Sequence, residues 1–167
     1  MKRLKQTEAQ VANPELSKLR VWVGRWTSRV ELKPGPLGPG GRISHEYTGQ
    51  MILGGFFYLG HWQEKGVRGK SRGLQIDRYD PLNKNIASSW YLEDGSTFSG
   101  VLTIIGDTYT WEGRFAVAGT SFLFRDIFVL AHDRKSAAVK AESSIDGKTW
   151  TPLSEGRYTK TKPARRK

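Results

Sequence analysis

The chain has 167 residues, with 27 lysines and arginines against 16 aspartates and glutamates, and it contains no cysteine. This length suits a single domain with one core, and the lack of cysteine excludes disulfides, thiolate metal sites and a cysteine nucleophile. The sequence has neither an apolar run long enough to span a membrane nor the apolar segment of a secretory signal, so we expect a cytoplasmic protein without a membrane span.

The net charge of +11 is concentrated at the two ends of the chain. Residues 1–10 carry +2 and residues 158–167 carry +5, which leaves +4 for residues 11–157. Both ends are polar and aperiodic, so we predict flexible basic tails over residues 1–12 and 161–167, on either side of one domain at 13–160. Cations on two separate ends form no single phosphate-binding face, which argues against nucleic acid as a partner. An interaction module that uses the tails stays an alternative.

The predicted elements begin with a short helix over residues 14–21. Asn13 can cap it, Pro14 suits its first position, and Leu16 and Leu19 follow at helical spacing. Beyond the helix, apolar residues recur with period two and turn residues interrupt them at short intervals, which is typical of antiparallel strands. Ten strands are predicted, at residues 25–32, 42–53, 56–64, 72–79, 86–93, 97–105, 109–117, 121–131, 137–144 and 150–158.

The connections between these strands favour hairpins. The pairs Asp94-Gly95, Gly106-Asp107 and Asp146-Gly147 tolerate the backbone of tight turns, so consecutive strands are expected to be neighbours. A sheet of this many antiparallel strands can close on itself and thereby remove its exposed edges. The sequence therefore predicts an all-β, up-and-down antiparallel barrel, wide enough to hold a small ligand.

The first strand is predicted to close one end of the barrel. Alternation places Trp26 on the inward face, and Gly24 lets the chain turn from the helix into the strand. We expect Trp26 to be buried beside a cation of the last strand, Arg157 or Lys160. The proline-rich residues 33–42 cannot continue the strand and are predicted to form a loop at the opposite mouth.

Several short patterns in this order resemble domain-of-unknown-function family 1579. The resemblance covers residues 16–160 and implies a lipocalin-like (calycin) barrel, without an established reaction. At residues 56–58 the chain has Phe-Phe-Tyr where the family often has an arginine, so no pocket cation is implied there. The patterns are Leu19, Gly24 and Trp26, Glu31 with Pro34-Gly35 and Pro39-Gly40-Gly41, Leu53-Gly54-Gly55, Tyr79-Asp80, Trp90, Gly106-Asp107 with Trp111, Arg125, and residues 144–150.

Aromatic side chains on inward faces are the main candidates for ligand binding. Glycines 49, 60, 100 and 113 lie within strands and are expected to leave space beside these rings. The predicted ligand is a small apolar or amphipathic molecule, and an inward arginine would add recognition of an anionic group. The alternative is that the aromatics fill the barrel, while the two charged residues of the set pair with each other or point outward. The candidate set is Tyr47, Tyr58, Trp62, Trp90, Trp111, Arg125 and Glu142.

The histidines do not have the spacing of a metal site, and we predict no metal and no cofactor. They are His45, His61 and His132. The simplest interpretation of His45 is a hydrogen-bonded strand histidine, although a lone histidine could ligate haem, as in haem-binding calycin relatives of the nitrobindin type.

Catalytic motifs are not found. Gly69-Lys70-Ser71 fits a hairpin rather than a phosphate loop, and no serine triad is recognised. The catalytic residues of any enzyme are therefore unknown. The alternative to a binding protein is an isomerase or cyclase without a cofactor, in which Tyr47, Glu142 or Asp126 serves as acid or base. A cavity carboxyl with a strongly raised pKa would favour that alternative.

Overall fold

The computed structural model describes residues 12–161 as one closed barrel of ten antiparallel strands. Residues 1–11 and 162–167, which hold almost all of the two predicted tails, lie outside the described residues. Within residues 12–161, no helix has the length and apolar character needed to cross a membrane.

A short helical segment precedes the barrel, as predicted. Helix α1 spans Pro14–Ser17 and continues as a 3₁₀ helix over Lys18–Trp22. The Asn13 side chain accepts a hydrogen bond of 2.8 Å from the Glu15 N–H, which caps the first turn. Leu16 and Leu19 are fully buried, so this segment packs against the barrel.

Each strand pairs with its neighbours in the sequence, and β1 also pairs with β10, which closes the barrel. This pairing runs from Arg25 opposite Thr161 to Leu32 opposite Ser154. The predicted fold class is thereby confirmed, including the number of strands and their hairpin connections. The strands are β1 Gly24–Leu32, β2 Gly41–Ile52, β3 Phe57–Gly66, β4 Gly69–Asp80, β5 Asn85–Leu92, β6 Thr97–Ile105, β7 Thr108–Val117, β8 Thr120–Leu130, β9 Ser136–Ser144 and β10 Thr151–Thr161.

Two strand glycines on the inner face are covered by aromatic rings. A Cβ atom on Gly60 would collide with the Tyr47 ring, and one on Gly73 would collide with the Trp62 ring. These aromatics therefore lie flat across neighbouring strands, which only glycine allows at such close approach. The prediction that glycines 49, 60, 100 and 113 leave empty space is wrong. The Tyr47 ring occupies the space beside Gly60, the Tyr58 hydroxyl occupies that beside Gly49, and the backbones at Gly100 and Gly113 lie too close together to leave any.

One end of the barrel is closed around Trp26, which is fully buried. Its indole N–H donates to the Trp22 carbonyl (3.2 Å), so the 3₁₀ helix is tied to β1. Gly24 has φ +107°, which agrees with the turn expected between the helix and the strand. The cation beside Trp26 is Lys160, whereas Arg157 of the predicted set donates to Ser136 Oγ and does not take part in this closure.

Candidate ligand-binding site

The barrel contains a cavity of about 160 Å³. It extends from Trp22, at the closed end, to Leu37 in the loop between β1 and β2, at the opposite mouth. Most of its wall is apolar, and nine of its lining residues are aromatic, namely Trp22, Tyr47, Trp62, Trp90, Trp111, Phe115, Phe124, Phe128 and Tyr158.

Four of the predicted site residues line this cavity, and they lie on different strands. Tyr47 is on β2, Trp62 on β3, Trp90 on β5 and Trp111 on β7. Trp62 and Trp90 pack edge to face, with ring centroids 6.0 Å apart. The fifth aromatic, Tyr58, is fully buried behind the wall, and its hydroxyl lies 2.7 Å from that of Tyr47.

The two predicted charged residues lie on the outside of the barrel. Since Phe124 and Asp126 face inward on β8, Arg125 between them faces outward. Its Nε donates to Glu142 Oε2 at 2.5 Å, and its guanidinium stacks over the Trp150 ring at 4.0 Å. Burial opposes ionisation of Glu142, but the hydrogen bonds from Arg125 and Lys140 outweigh it and lower its pKa. The prediction that Arg125 and Glu142 line the pocket is therefore wrong.

A chain of hydrogen bonds connects Tyr47 and Gln75, which line the cavity, with Tyr58 and Asp77, which are fully buried behind its wall. The Tyr58 hydroxyl lies 2.7 Å from the Tyr47 hydroxyl and 3.3 Å from the Trp22 carbonyl oxygen. The Tyr47 hydroxyl lies 3.2 Å from Gln75 Oε1, and Gln75 Nε2 donates to Asp77 Oδ2 (2.7 Å). Burial raises the pKa of both tyrosines. Burial also raises the pKa of Asp77 to about 7, although hydrogen bonds from Ser88 and Gln75 act to lower it. The chain therefore fixes the rotation of the Tyr47 ring where it borders the cavity.

A second polar chain joins residues of β1, β2 and β3 with Arg68 in the turn between β3 and β4. His45 Nδ1 is 2.9 Å from Ser28 Oγ and His45 Nε2 is 3.1 Å from Glu64 Oε2, while Arg68 donates to Glu64 Oε1 (2.6 Å). A neutral imidazole with its proton on Nε2 satisfies both contacts, accepting from Ser28 and donating to Glu64. Burial opposes ionisation of Glu64, but its bonds to His45 and Arg68 outweigh this and lower its pKa.

The arrangement has the residue types of a catalytic triad but not the access. His45, Glu64 and Arg68 line the cavity, whereas Ser28 does not, so its hydroxyl is not presented to a molecule held there. Sequence reasoning missed Glu64, although it has the same strand parity as Trp62 and therefore the same inward face.

Asp126 is the other carboxyl at the cavity. It lies on β8 between Phe124 and Phe128, both of which also line the cavity. Burial raises its pKa to about 8, and within residues 12–161 no hydrogen bond or ion pair offsets that shift. Burial raises the pKa of Tyr158, and the nearby charge of Asp126 raises it further. Within the described residues, no three histidine, aspartate or glutamate side chains converge in a way that would hold a metal ion.

A closed up-and-down barrel of ten antiparallel strands with an internal aromatic cavity is consistent with a calycin-like fold. More particularly, the chain belongs to the family described as "Protein of unknown function (DUF1579)", whose model matches residues 12–160, and this confirms the resemblance inferred from the sequence.

Among solved structures, the crystal structure of Rv2717c from M. tuberculosis is similar to this chain. The TM-score is 0.65 at 14% sequence identity, over 90% of this chain and 99% of that chain. At this identity the likeness shows the fold alone. No curated protein matches the chain.

Proposed function

We propose that this protein binds one compact, largely apolar molecule inside the barrel. The observation that carries the proposal is the cavity itself, with its aromatic wall and a few polar side chains. Small-molecule sites have this composition, in which apolar walls provide affinity and a few polar groups fix orientation. The helical segment closes one end, so the mouth at Leu37 is the route by which a ligand would enter.

The cavity volume supports a compact ligand. At about 160 Å³ it is close to the size of apolar cavities, roughly 150 Å³, that bind benzene. A single ring with a small substituent fits this space, whereas a long acyl chain or a macrocycle would require the barrel to open.

The charges at the cavity give no support to an anionic ligand. That part of the prediction depended on Arg125, which faces outward. The cation at the mouth, Arg68, is already paired with Glu64. We therefore propose an apolar or amphipathic ligand without a carboxylate.

The experiment is a tryptophan-fluorescence titration with tert-butylbenzene, a one-ring apolar probe. Because Trp62, Trp90 and Trp111 line the cavity, a bound molecule is expected to change their emission. Ala141→Phe places a ring in the cavity and is expected to abolish the change. Ala138→Phe adds the same ring to the exposed face of the same strand and is the matched control. A titration that is flat for the unmodified chain, or equal in both variants, would refute the proposal.

A second candidate function is an isomerase or cyclase without a cofactor, and Asp126 is the observation that favours it. Its pKa of about 8 lets the carboxyl exchange a proton near neutral pH, and Tyr158 is its neighbour. An enzyme is expected to release product, so Asp126→Asn protein purified without denaturation should retain a molecule that differs from the one on the unmodified chain. Native mass spectrometry distinguishes the cases, because a binding protein retains the same molecule in both.

Two further expectations stay predictions. The first is that the basic tails serve as an interaction module, and most of their residues lie outside the described range. A cytoplasmic location rests on the sequence alone, and fractionation of cells that express the tagged chain would test it.

A further inference from the structure

We propose that the molecule held in the barrel carries a permanent or protonated ammonium group and that Asp126 is its counter-ion. This inference rests on the proposed binding function and adds the chemical class of the ligand. It depends on two features of the cavity, namely the charges at its wall and the aromatic rings around Asp126.

The cavity contains one carboxyl that no cation of the described residues compensates. Arg68 Nη2 lies 2.6 Å from Glu64 Oε1, and Arg68 Nη1 donates to the Leu37 carbonyl (2.9 Å). Arg68 is thereby held at the mouth by Glu64 and Leu37. Within residues 12–161, Asp126 has no ion pair or hydrogen bond of this kind. A ligand cation would supply the missing partner, since a carboxylate that faces an apolar cavity is stable only when it is paired.

The rings around Asp126 are also suited to a cation. Trp111 lies directly opposite Asp126 in the pairing of β7 with β8, and Phe124 and Phe128 flank it on its own strand. Aromatic faces carry negative potential and attract alkylammonium groups, and several rings around one cation form the aromatic cage that binds quaternary ammonium ligands. A carboxylate within such a cage selects a cation over a neutral molecule of the same shape.

Binding of a permanent cation should be coupled to loss of a proton. In the unliganded barrel burial raises the pKa of Asp126 to about 8, so the carboxyl is protonated at neutral pH. A quaternary ammonium group favours the carboxylate, and its affinity should therefore rise with pH by up to about tenfold per unit and level off above about 8.

Other titratable groups also face the interior, and they set the controls. Tyr158 on β10 is coupled to Asp126, while His45 on β2 and Glu64 on β3 line the same cavity, with Arg68 bonded to Glu64. Tyr47 on β2 also lines the cavity, and Asp77 on β4 is buried behind it. If one of these groups caused the pH dependence, that dependence would persist without the Asp126 carboxyl.

The test compares phenyltrimethylammonium with tert-butylbenzene, which have the same shape and differ in one charged nitrogen in place of carbon. Calorimetric titrations between about pH 6 and 9, in buffers with different ionisation enthalpies, measure affinity and proton release around the pKa of about 8. We expect the ammonium ligand to bind more tightly with rising pH and to release close to one proton at the acid end. The neutral isostere should release none.

Asp126→Asn is expected to lower the affinity for phenyltrimethylammonium by about tenfold or more above pH 8, where Asp126 is charged. The affinity for tert-butylbenzene should stay nearly unchanged. Glu112→Gln removes the same charge from the exposed face of the neighbouring strand and is expected to change neither ligand. Thermal unfolding of each variant shows that the barrel is intact.

The outcomes separate this inference from the proposed function. If tert-butylbenzene binds and phenyltrimethylammonium binds no better at any pH, the inference of a cationic ligand is wrong and the proposed binding function still holds. If the pH dependence survives in Asp126→Asn, Asp126 is not the counter-ion and the inference is overturned. If neither probe binds in a manner that Ala141→Phe abolishes, both proposals fail.

Discussion

The ammonium group of Lys160 lies over the indole of Trp26, with Nζ 5.4 Å from the ring centroid. The same Nζ donates to the carbonyl of Val21 (3.0 Å), in the 3₁₀ helix that precedes β1. One lysine on the last strand thereby joins the first strand and the helical segment. The Tyr109 hydroxyl adds a bond to the Lys18 carbonyl (3.1 Å), so barrel side chains satisfy carbonyls that a helix end leaves free.

Trp26→Ala is expected to destabilise the barrel by roughly 3–5 kcal/mol, because it deletes a fully buried ring and leaves a cavity. Chemical denaturation measures the loss. Tyr91→Ala is the control, since Tyr91 is 49% exposed on the outer face and should cost less than about 1 kcal/mol. Equal losses in the two variants would mean that Trp26 does not hold the closed end.

Arg125→Met is expected to cost about 1–3 kcal/mol, because the mostly buried Glu142 loses its principal partner. A double-mutant cycle with Glu142→Gln measures their coupling. Since neither residue lines the cavity, the affinity for tert-butylbenzene should change by less than about twofold. A large loss of binding with no loss of stability would place Arg125 in the site after all.

Gly73→Ala is expected to destabilise the protein by about 1–3 kcal/mol and to weaken ligand binding. The added Cβ would collide with the Trp62 ring, which must then move into the cavity that it lines. Trp62→Leu in the Gly73→Ala background should relieve the collision and recover part of the stability. If the double variant is no more stable than Gly73→Ala, the ring is not what the glycine accommodates.

Asp126→Asn is expected to stabilise the protein at alkaline pH and to have less effect in acid. The folded pKa of about 8 exceeds the ordinary value of about 4, so the unfolded chain binds fewer protons between these values. The contribution of Asp126 to the free energy of unfolding therefore falls as pH rises from about 4 to about 8, and this fall is absent from the Asp126→Asn variant. Melting temperatures of the two proteins across this range measure it, and a difference independent of pH would contradict the shifted pKa.

The fold was predictable because its signals are local. Period-two alternation, turn dipeptides and the Asn13-Pro14 cap each fix one element, and short connections leave consecutive strands as neighbours. Closure followed from the number of strands. The family patterns agreed with this outcome independently.

The site was less predictable, because strand parity near polar residues was ambiguous. On β4 the apolar Leu74 faces outward at 39% exposure while Gln75 and Asp77 are buried, the reverse of the usual pattern. On β8 apolar residues occur on both faces, and a charge next to phenylalanines fits either face, so the sequence pattern does not decide which way Arg125 points. Pairing with neighbouring strands decides these faces, and one sequence does not contain that information.

The most direct test of a ligand inside the barrel is a set of intermolecular nuclear Overhauser contacts, measured with tert-butylbenzene at saturation. Binding inside the barrel predicts contacts from its methyl protons to the indole protons of Trp90 and Trp111, which both line the cavity. These contacts should disappear in Ala141→Phe and persist in Ala138→Phe. Contacts confined to exposed rings such as Tyr91, or none at saturation, would contradict it.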